Sequence, residues 1–402
     1  MHRAGLIVVV VAACTRAAAH DMSGMDMSHM DMSHADMSGM DMGTGLLGAY
    51  PMTRDASGTS WQPDAAPHHA LHEEVGGWEL MAHAALDLVY DSQSDGGDTQ
   101  WFVEGMAMGE ARRSLGDGDM LAFRAMLSPD PFMGRRGYPL LLASGETADG
   151  RTPLVDRQHP HDLVMELAAT YNHALSAKDS LFVYAGYPGE PALGPTAFLH
   201  RASGMDIPEA PIGHHWLDST HITFGVATAG FVHDDWKLEV SRFTGREPDQ
   251  DRFDFDEARF DSTSARLSWN PDAHWSLQAS WGYLKSPEQL QPAQNEVRYT
   301  ASAQYVDGPF AATLAWGHKL DSDAVLLEGE YRPDERWTLF LRAESLRNSE
   351  EFGDAQKIAP GAIYDIPFGE HAVVGLGALY DFDFARGIDP HGAMVFTRFA
   401  LR

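Results

Sequence analysis

Cysteine and positive charge are both scarce in this sequence, and each scarcity excludes a class of protein. The 402 residues include one cysteine, Cys14, so no disulfide can form within the chain, and cleavage beyond Cys14 would leave no thiolate to bind a metal. Lys and Arg number 29 against 58 Asp and Glu, which gives a formal charge of −29. Nucleic acid is therefore not an expected partner, because phosphate binding needs a basic face. HExxH, GxSxG, CxxCH and phosphate-cradling glycine motifs are also missing, so an enzyme is not predicted.

Long apolar runs are missing after the first residues, so no membrane-spanning helix is predicted. Residues 1–19 combine a short basic start, an apolar run over 4–13 and small residues ending at Ala19. This pattern is typical of a secretory signal peptide. A lipoprotein cleavage box ending at Cys14 is a second interpretation of the same segment. Cleavage after Ala19 would give His20 a free amine, which together with its imidazole could chelate Cu(II).

The segment that follows, residues 20–42, reads HDMSGMDMSHMDMSHADMSGMDM. Asp, Ser and Gly interrupt its methionines everywhere, so it is too polar to fold and is predicted to be disordered. Thioethers are soft ligands that select Cu(I), and Ag(I) shares this preference. An inert linker is the alternative, although linkers favour Gly, Ser, Pro and Glu over Met. The predicted metal ligands of this head are His20, Met22, Met25, Met27, His29, Met30, Met32, His34, Met37, Met40 and Met42.

Residues 43–74 are predicted to be a linker, and residues 75–402 a β-barrel of the bacterial outer membrane. In the second range, apolar and polar residues alternate over ten or more positions, as in residues 275–283 and 297–305, and several apolar faces start or end with Trp or Tyr. Such long half-exposed strands after a signal peptide indicate a lipid-facing band with aromatic girdles. About 16 antiparallel strands are expected, and 14 or 12 are compatible. A soluble secreted β protein is the alternative.

Two stretches rich in Pro and Gly, residues 129–161 and 188–218, break the strand rhythm and are predicted to plug the lumen or to cap one mouth. They concentrate histidine, and imidazole suits several transition metals. In an extended chain His159 and His161 would project to the same side and could reach one ion. The alternative is that these histidines only pair with loop backbone and carboxylates. The predicted metal ligands here are His159, His161, His200, Met205, His214, His215 and, at the entry to the next strand, His221.

The first strands predict a further set of ligands on the face turned to the lumen. Methionine as ordinary filler should favour the apolar face, yet here it alternates with the apolar residues and shares the charged face. A methionine-lined wall inside the barrel is therefore predicted, with filler as the alternative. Its members are Met81, His83, Met106, Met108, Met120 and Met126.

The head resembles that of the outer-membrane copper-resistance B proteins. The matching residues are Met22, Met25, Met27, His29, Met30, Met32, His34, Met37, Met40 and Met42. The resemblance implies copper tolerance at the outer membrane by binding or export of excess metal. The termini of such barrels normally lie on the periplasmic side, so the head is expected in the periplasm, with copper ions and periplasmic copper carriers or oxidases as expected partners. The main functional hypothesis is accordingly a copper-binding outer-membrane barrel. A general porin with an incidental head and a soluble metal-binding β protein are its alternatives.

Overall fold

The computed structural model describes residues 43–94, 98–385 and 390–401. The predictions for residues 1–42, namely the signal peptide and the metal-binding head, lie outside these ranges. Within them, no helix is long and apolar enough to cross a membrane.

The described chain is built mainly of strands, and their bounds follow the alternating sequence pattern. The strands are β1 (Leu71–Val75), β2 (Trp78–Gln93), β3 (Thr99–Gly116), β4 (Asp119–Leu127), β5 (Tyr138–Thr147), β6 (Pro153–Gln158), β7 (Val164–Ala174), β8 (Asp179–Gly186), β9 (Val226–His233), β10 (Trp236–Phe243), β11 (Ser262–Asp272), β12 (Trp275–Leu284), β13 (Glu296–Asp307), β14 (Phe310–Lys319), β15 (Ser322–Tyr331), β16 (Trp337–Ser349), β17 (Gly353–Pro367), β18 (Ala372–Ala385) and β19 (His391–Leu401). The helices are short: α1 (His214–Leu217) and the 3-10 turns Met52–Arg54, Asp130–Met133, Phe198–His200 and Ser219–His221.

Sixteen of these strands form a closed antiparallel barrel, which confirms the predicted fold class and strand number. Strands β2–β4 and β7–β19 pair in sequence order, with β4 beside β7, and β19 returns to pair with β2. The remaining hairpin, β5–β6, forms a separate two-stranded sheet. Closure gives every barrel strand two neighbours, so the backbone of each is satisfied within the sheet.

The two faces of the barrel differ in chemistry as the sequence predicts. On β14, for example, Leu314 is 54% exposed while its inward neighbour Thr313 is 1% exposed. Aromatic pairs mark both rims of the outward face, among them Trp236–Trp269 with ring centroids 4.8 Å apart and Tyr90–Trp101 at 4.9 Å. An apolar outer band between aromatic girdles is the surface that a lipid bilayer requires.

The connections between barrel strands are all short at one end, and the long connections lie at the other end. Short turns such as 234–235, 273–274 and 308–309 define the short-turn end. The connections 128–163, 187–225 and 244–261 lie at the opposite end, here the long-loop end. The first two of these, called the first and second inward loops, turn into the lumen, as the burial of most of their histidines and aromatic residues shows.

Residues 43–70, which the sequence predicted to be part of a linker, instead fold as a compact lumenal segment. Trp61 is 3% exposed and stacks edge-on against Tyr50 at 5.1 Å. Arg266 on β11 donates to Thr59 Oγ1 (3.2 Å), and Arg124 on β4 donates to the carbonyl oxygen of Gly58 (3.1 Å). The linker prediction was wrong because the segment has few apolar residues of its own. Its burial comes from barrel residues that are distant in sequence, both the two arginines and the apolar side chains Phe182 and Val232.

Strand β1 completes the seam of the barrel. It pairs with β2 from Trp78 to Ala82, and β19 pairs with the same edge of β2 from Ala85 to Gln93. The two strands thus occupy successive stretches of one edge.

Candidate functional site

Charged side chains that face the lumen are buried by the inward loops and the lumenal segment. Arg201, Arg266, Arg298, Arg342, Lys237 and Lys357 are among the largest fully buried side chains of the described residues. In a wide water-filled pore, the barrel residues of this set would be hydrated. They are instead satisfied by carboxylates and carbonyl oxygens, as buried charges must be. The lumen is therefore packed with protein over much of its depth.

The second inward loop is fastened to the barrel wall through Arg201. Its guanidinium donates to both oxygens of Glu328 on β15, from Nε to Oε2 (2.8 Å) and from Nη2 to Oε1 (2.9 Å). Nη1 donates to Asp218 Oδ2 within the same loop (2.7 Å). Lys357 on β17 also reaches the loop, donating to Glu209 Oε2 (2.8 Å). These contacts hold the segment that carries most of the lumenal histidines.

The first inward loop returns to the barrel beside the second. Tyr138 stacks on Phe102 of β3 with centroids 4.6 Å apart, and its hydroxyl accepts a hydrogen bond from the Ala210 amide (2.9 Å). Asp130 Oδ2 accepts from the His161 amide (3.2 Å) and lies 2.9 Å from its Nδ1. The two loops, far apart in sequence, thus bring their histidines together.

Five imidazoles form a contiguous buried group, here the histidine cluster: His159, His161, His214, His215 and His221. Ring centroids of His214 lie 5.6 Å from His215, 5.2 Å from His221 and 6.2 Å from His159. His159 is also 5.5 Å from His215, and His161 is 5.1 Å from His221. The prediction that His159 and His161 reach one ion together is not shown, because the two rings contact different members of the cluster.

Several members have one ring nitrogen held and the other without a partner. His214 Nδ1 lies 2.8 Å from Asp218 Oδ1, and His221 Nδ1 lies 2.8 Å from the Asp218 carbonyl oxygen. Nε2 of all five rings is buried without a hydrogen-bond partner among the described residues. A carboxylate or carbonyl on one nitrogen with the other left available is the arrangement that orients histidine toward a metal ion.

Burial keeps most of these rings in the form that can bind metal. Desolvation lowers the pKa of His159 and His214, and it lowers that of His221 to about 3. Burial also opposes the charge of His215, but Glu247 and then Glu288 raise its pKa above the usual value. Asp218 loses hydration too, yet the Arg201 guanidinium holds the pKa of this carboxyl well below its ordinary range. His159, His214 and His221 are therefore neutral near pH 7, which is the ligating state of imidazole.

A methionine cluster lies next to the histidine cluster. Met106, Met108, Met126 and Met165 pack together with Ile222, which follows His221 in sequence, and Met81 contacts the group. The strand register thus turns these methionines inward, as predicted. Met120 also turns inward but contacts the lumenal segment around Leu46 and Tyr50 instead, so it does not belong to the same group.

His83, His200 and Met205 lie apart from the histidine cluster, toward the short-turn end. The rings of His83 and His200 are 5.8 Å apart, and both line a cavity of about 70 Å³ together with Met81 and Met205. A larger cavity of about 420 Å³ lies at the long-loop end, lined by His215, Glu288 and Glu296. The predicted ligands outside the head are thus distributed along the lumen between two cavities, with Met120 to one side.

Sequence reasoning missed the carboxylates of this site. Glu247 and Glu288 belong to loops 244–261 and 285–295, which carry no histidine, so nothing in their local sequence marks them. Met165 was missed as well, although its position four residues after His161 was a signal. It is fully buried in the methionine cluster.

Comparison with solved structures shows that the fold is like that of an outer-membrane porin. Neither a protein-family model nor a curated protein matches the chain. Among solved structures, OmpF of Salmonella typhi in complex with daunomycin superposes with a TM-score of 0.54 at 12% identity, covering 82% of this chain and 100% of that chain. The outer-membrane channel DcaP of Acinetobacter baumannii gives a TM-score of 0.49 at 9% identity, covering 83% and 100% of the two chains. The anion-selective porin of Comamonas acidovorans gives 0.49 at 10% identity, covering 81% and 100%.

These comparisons contradict the main functional hypothesis. The prediction of a copper-binding protein for copper tolerance rested on the head, whereas the barrel superposes on the porin OmpF. The alternative interpretation, an outer-membrane porin or solute channel, is the better supported of the two. The functional hypothesis drawn from the head was wrong because a low-complexity segment carries no information about the barrel to which it is joined. Its copper and silver ligands stay a prediction.

Proposed function

We propose that this protein is a porin-like channel of the bacterial outer membrane for small polar solutes, and that it favours cations. The observation that carries the proposal is the closed barrel, which has an apolar outer face and a charged interior and superposes on a porin. Strands of this kind can line a passage for polar solutes, because alternate side chains face the lumen. We propose no catalytic role.

The preference for cations follows from the charge inside the barrel. Acidic residues outnumber basic ones among the buried charged side chains on the strands, as with Asp381 and Asp383 beside the single Lys357. The whole chain carries a formal charge of −29. A low-dielectric wall with an excess of one sign concentrates the opposite ion.

The packed lumen supports a narrow passage controlled by the inward loops. Arg201 and Glu328 fix the second inward loop across the barrel, and Thr59 fixes the lumenal segment against Arg266. We propose that these two elements leave the passage closed or nearly closed when docked. Solutes would pass when an element shifts, so conductance should be small compared with that of a porin with an open lumen.

Planar bilayers test this proposal directly. The purified full-length protein should insert to give small conductance steps, and a KCl gradient should give a reversal potential of the sign expected for cation selectivity. Liposome swelling with sugars of graded size would measure the width of the passage. A barrel that shows heat-modifiable gel migration, and is therefore folded, but gives neither conductance nor swelling at any voltage would refute the channel.

The orientation of the barrel is part of the proposal. In barrels of this type, the short turns face the periplasm and the long loops face outward. We therefore place β1 and the chain that precedes it on the periplasmic side. Glu335 at the short-turn end and Glu350 at the long-loop end are both exposed. On whole cells, an impermeant maleimide should label Glu350→Cys and spare Glu335→Cys; the reverse pattern would invert the barrel.

A further inference from the structure

A site of mixed nitrogen and oxygen ligands lies where the large cavity meets the histidine cluster. One ring nitrogen of His215 and one carboxylate oxygen each of Glu247 and Glu288 lie within 4.8 Å of one another. His215 Nδ1 is 3.3 Å from Glu247 Oε1 and 4.0 Å from Glu288 Oε1. Three ligands at this spacing can close on a single ion with small side-chain rotations.

The state of these ligands is not explained by protein contacts alone. His215 is 4% exposed, and neither of its ring nitrogens makes a hydrogen bond among the described residues, since the approach to Glu247 has poor geometry. Glu247 is 6% exposed, and its Oε2 likewise has no hydrogen-bond partner there. Leaving a buried polar atom without a partner costs about 1–3 kcal/mol. A bound cation would satisfy these atoms together.

The surrounding structure fixes the imidazole in place. His215 belongs to α1, which the second inward loop presses against β14 and β15. Gly145, in hairpin β5–β6, lies against the ring. A Cβ added at Gly145 would lie 2.8 Å from the His215 ring, so only glycine fits there. The ligand is therefore held from both inward loops.

The ammonium group of Lys319 lies on one side of the site and competes with a metal ion for Glu288. Lys319 Nζ lies 3.9 Å from Glu288 Oε1 and 3.6 Å from Glu296 Oε2. Its ammonium also sits over the Trp216 ring at 4.8 Å. A metal ion that took Glu288 would leave Lys319 with Glu296 and Trp216. Glu288 can therefore bind a metal ion while the buried ammonium of Lys319 keeps other partners.

We infer that His215, Glu247 and Glu288 bind one divalent transition-metal ion of the borderline class, such as Zn²⁺, at the floor of the long-loop cavity. One imidazole and two carboxylates suit this class, and an open position would face the cavity. His159 and His214 lie next to His215 at 5.5 and 5.6 Å between ring centroids, so further imidazoles adjoin the site. This inference does not depend on the channel function, because it concerns binding to the folded barrel alone.

The test is a Zn²⁺ titration of the full-length protein, folded in detergent and stripped with a chelator. Residues 20–42 can add sites of their own, so each variant is compared with the unchanged protein. We expect His215→Gln and Glu247→Gln each to lose one equivalent of Zn²⁺, or to weaken that equivalent at least tenfold. His233→Gln is the matched control. His233 is an exposed histidine at the short-turn end, paired with Asp179 at 2.7 Å, and its isotherm should match that of the unchanged protein.

Two further measurements keep the inference open to refutation. Lys319→Met removes the competing ammonium, so it should tighten Zn²⁺ binding. X-ray absorption of the protein loaded with one equivalent should show nitrogen and oxygen neighbours at about 2.0–2.2 Å. Identical isotherms for Glu247→Gln and the unchanged protein, both folded by heat-modifiable migration, would overturn the site. So would a shell of sulfur neighbours alone around the equivalent that His215→Gln loses, because that shell would place this ion among methionines.

Discussion

Replacing Arg201 by Gln should open the barrel without unfolding it. The guanidinium is fully buried and makes two hydrogen bonds to Glu328 and one to Asp218. Truncating one member of a buried ion network costs about 3–5 kcal/mol. Glu328 keeps Arg342 (2.9 Å) and Asp218 keeps His214 (2.8 Å), which places the expected cost near the lower limit. Even 3 kcal/mol would raise the undocked population of the second inward loop about a hundredfold.

The assay is single-channel recording in planar bilayers, with gel migration before and after heating as the check on the barrel. We expect more frequent or larger openings for Arg201→Gln than for the unchanged protein. Arg336→Gln is the control. Arg336 is exposed at the short-turn end, where it donates to the Tyr364 hydroxyl (2.9 Å). A folded Arg201→Gln barrel with unaltered conductance would show that docking of this loop does not govern the passage.

Three further results are expected. Trp61→Ala should weaken the docking of the lumenal segment by about 3–5 kcal/mol and should raise the conductance. An unchanged conductance would show that this segment does not block the passage. Burial raises the pKa of Glu190 to about 8, above its usual value, so its contribution to the stability of the fold is complete below about pH 4.5 and is lost as the pH rises through 8. The melting temperature of Glu190→Gln should therefore exceed that of the unchanged protein at pH 9 and equal it at pH 4. The same difference in melting temperature at both pH values would contradict this. Leu314→Arg, in the middle of the outer face, should lower the free energy of unfolding by about 2–4 kcal/mol in urea titrations of the protein in vesicles. Phe310→Arg, at the strand end, should lower it by only about 0–1 kcal/mol. Equal losses for the two variants would argue against a bilayer around β14.

The barrel could be predicted because each strand carries its own signal. Period-two alternation sets the inward and outward faces of β12 and β13 from local sequence alone, and one face must meet lipid. The same logic turned Met106 and Met108 correctly into the lumen, since a strand in the right register fixes every side chain on it.

The interior could not be predicted to the same depth, because its contacts join residues remote in sequence. Thr59 meets Arg266, Gly145 lies against His215, and Glu247 approaches the histidine cluster from a loop without any motif. A polar lumenal segment and a polar linker have the same composition. Only the placement of buried partners distinguishes them, and that placement is a property of the closed barrel.

The shared edge of β2 also has a consequence for assembly. Because β1 and β19 lie on successive stretches of that edge, the cylinder is sealed by two strands from opposite ends of the barrel sequence. The lumenal segment precedes β1 directly and lies inside the sealed wall. It must therefore be enclosed at the moment of sealing or thread in afterwards past charged walls. Enclosure would make the order of strand insertion in the cell decide whether the interior is filled.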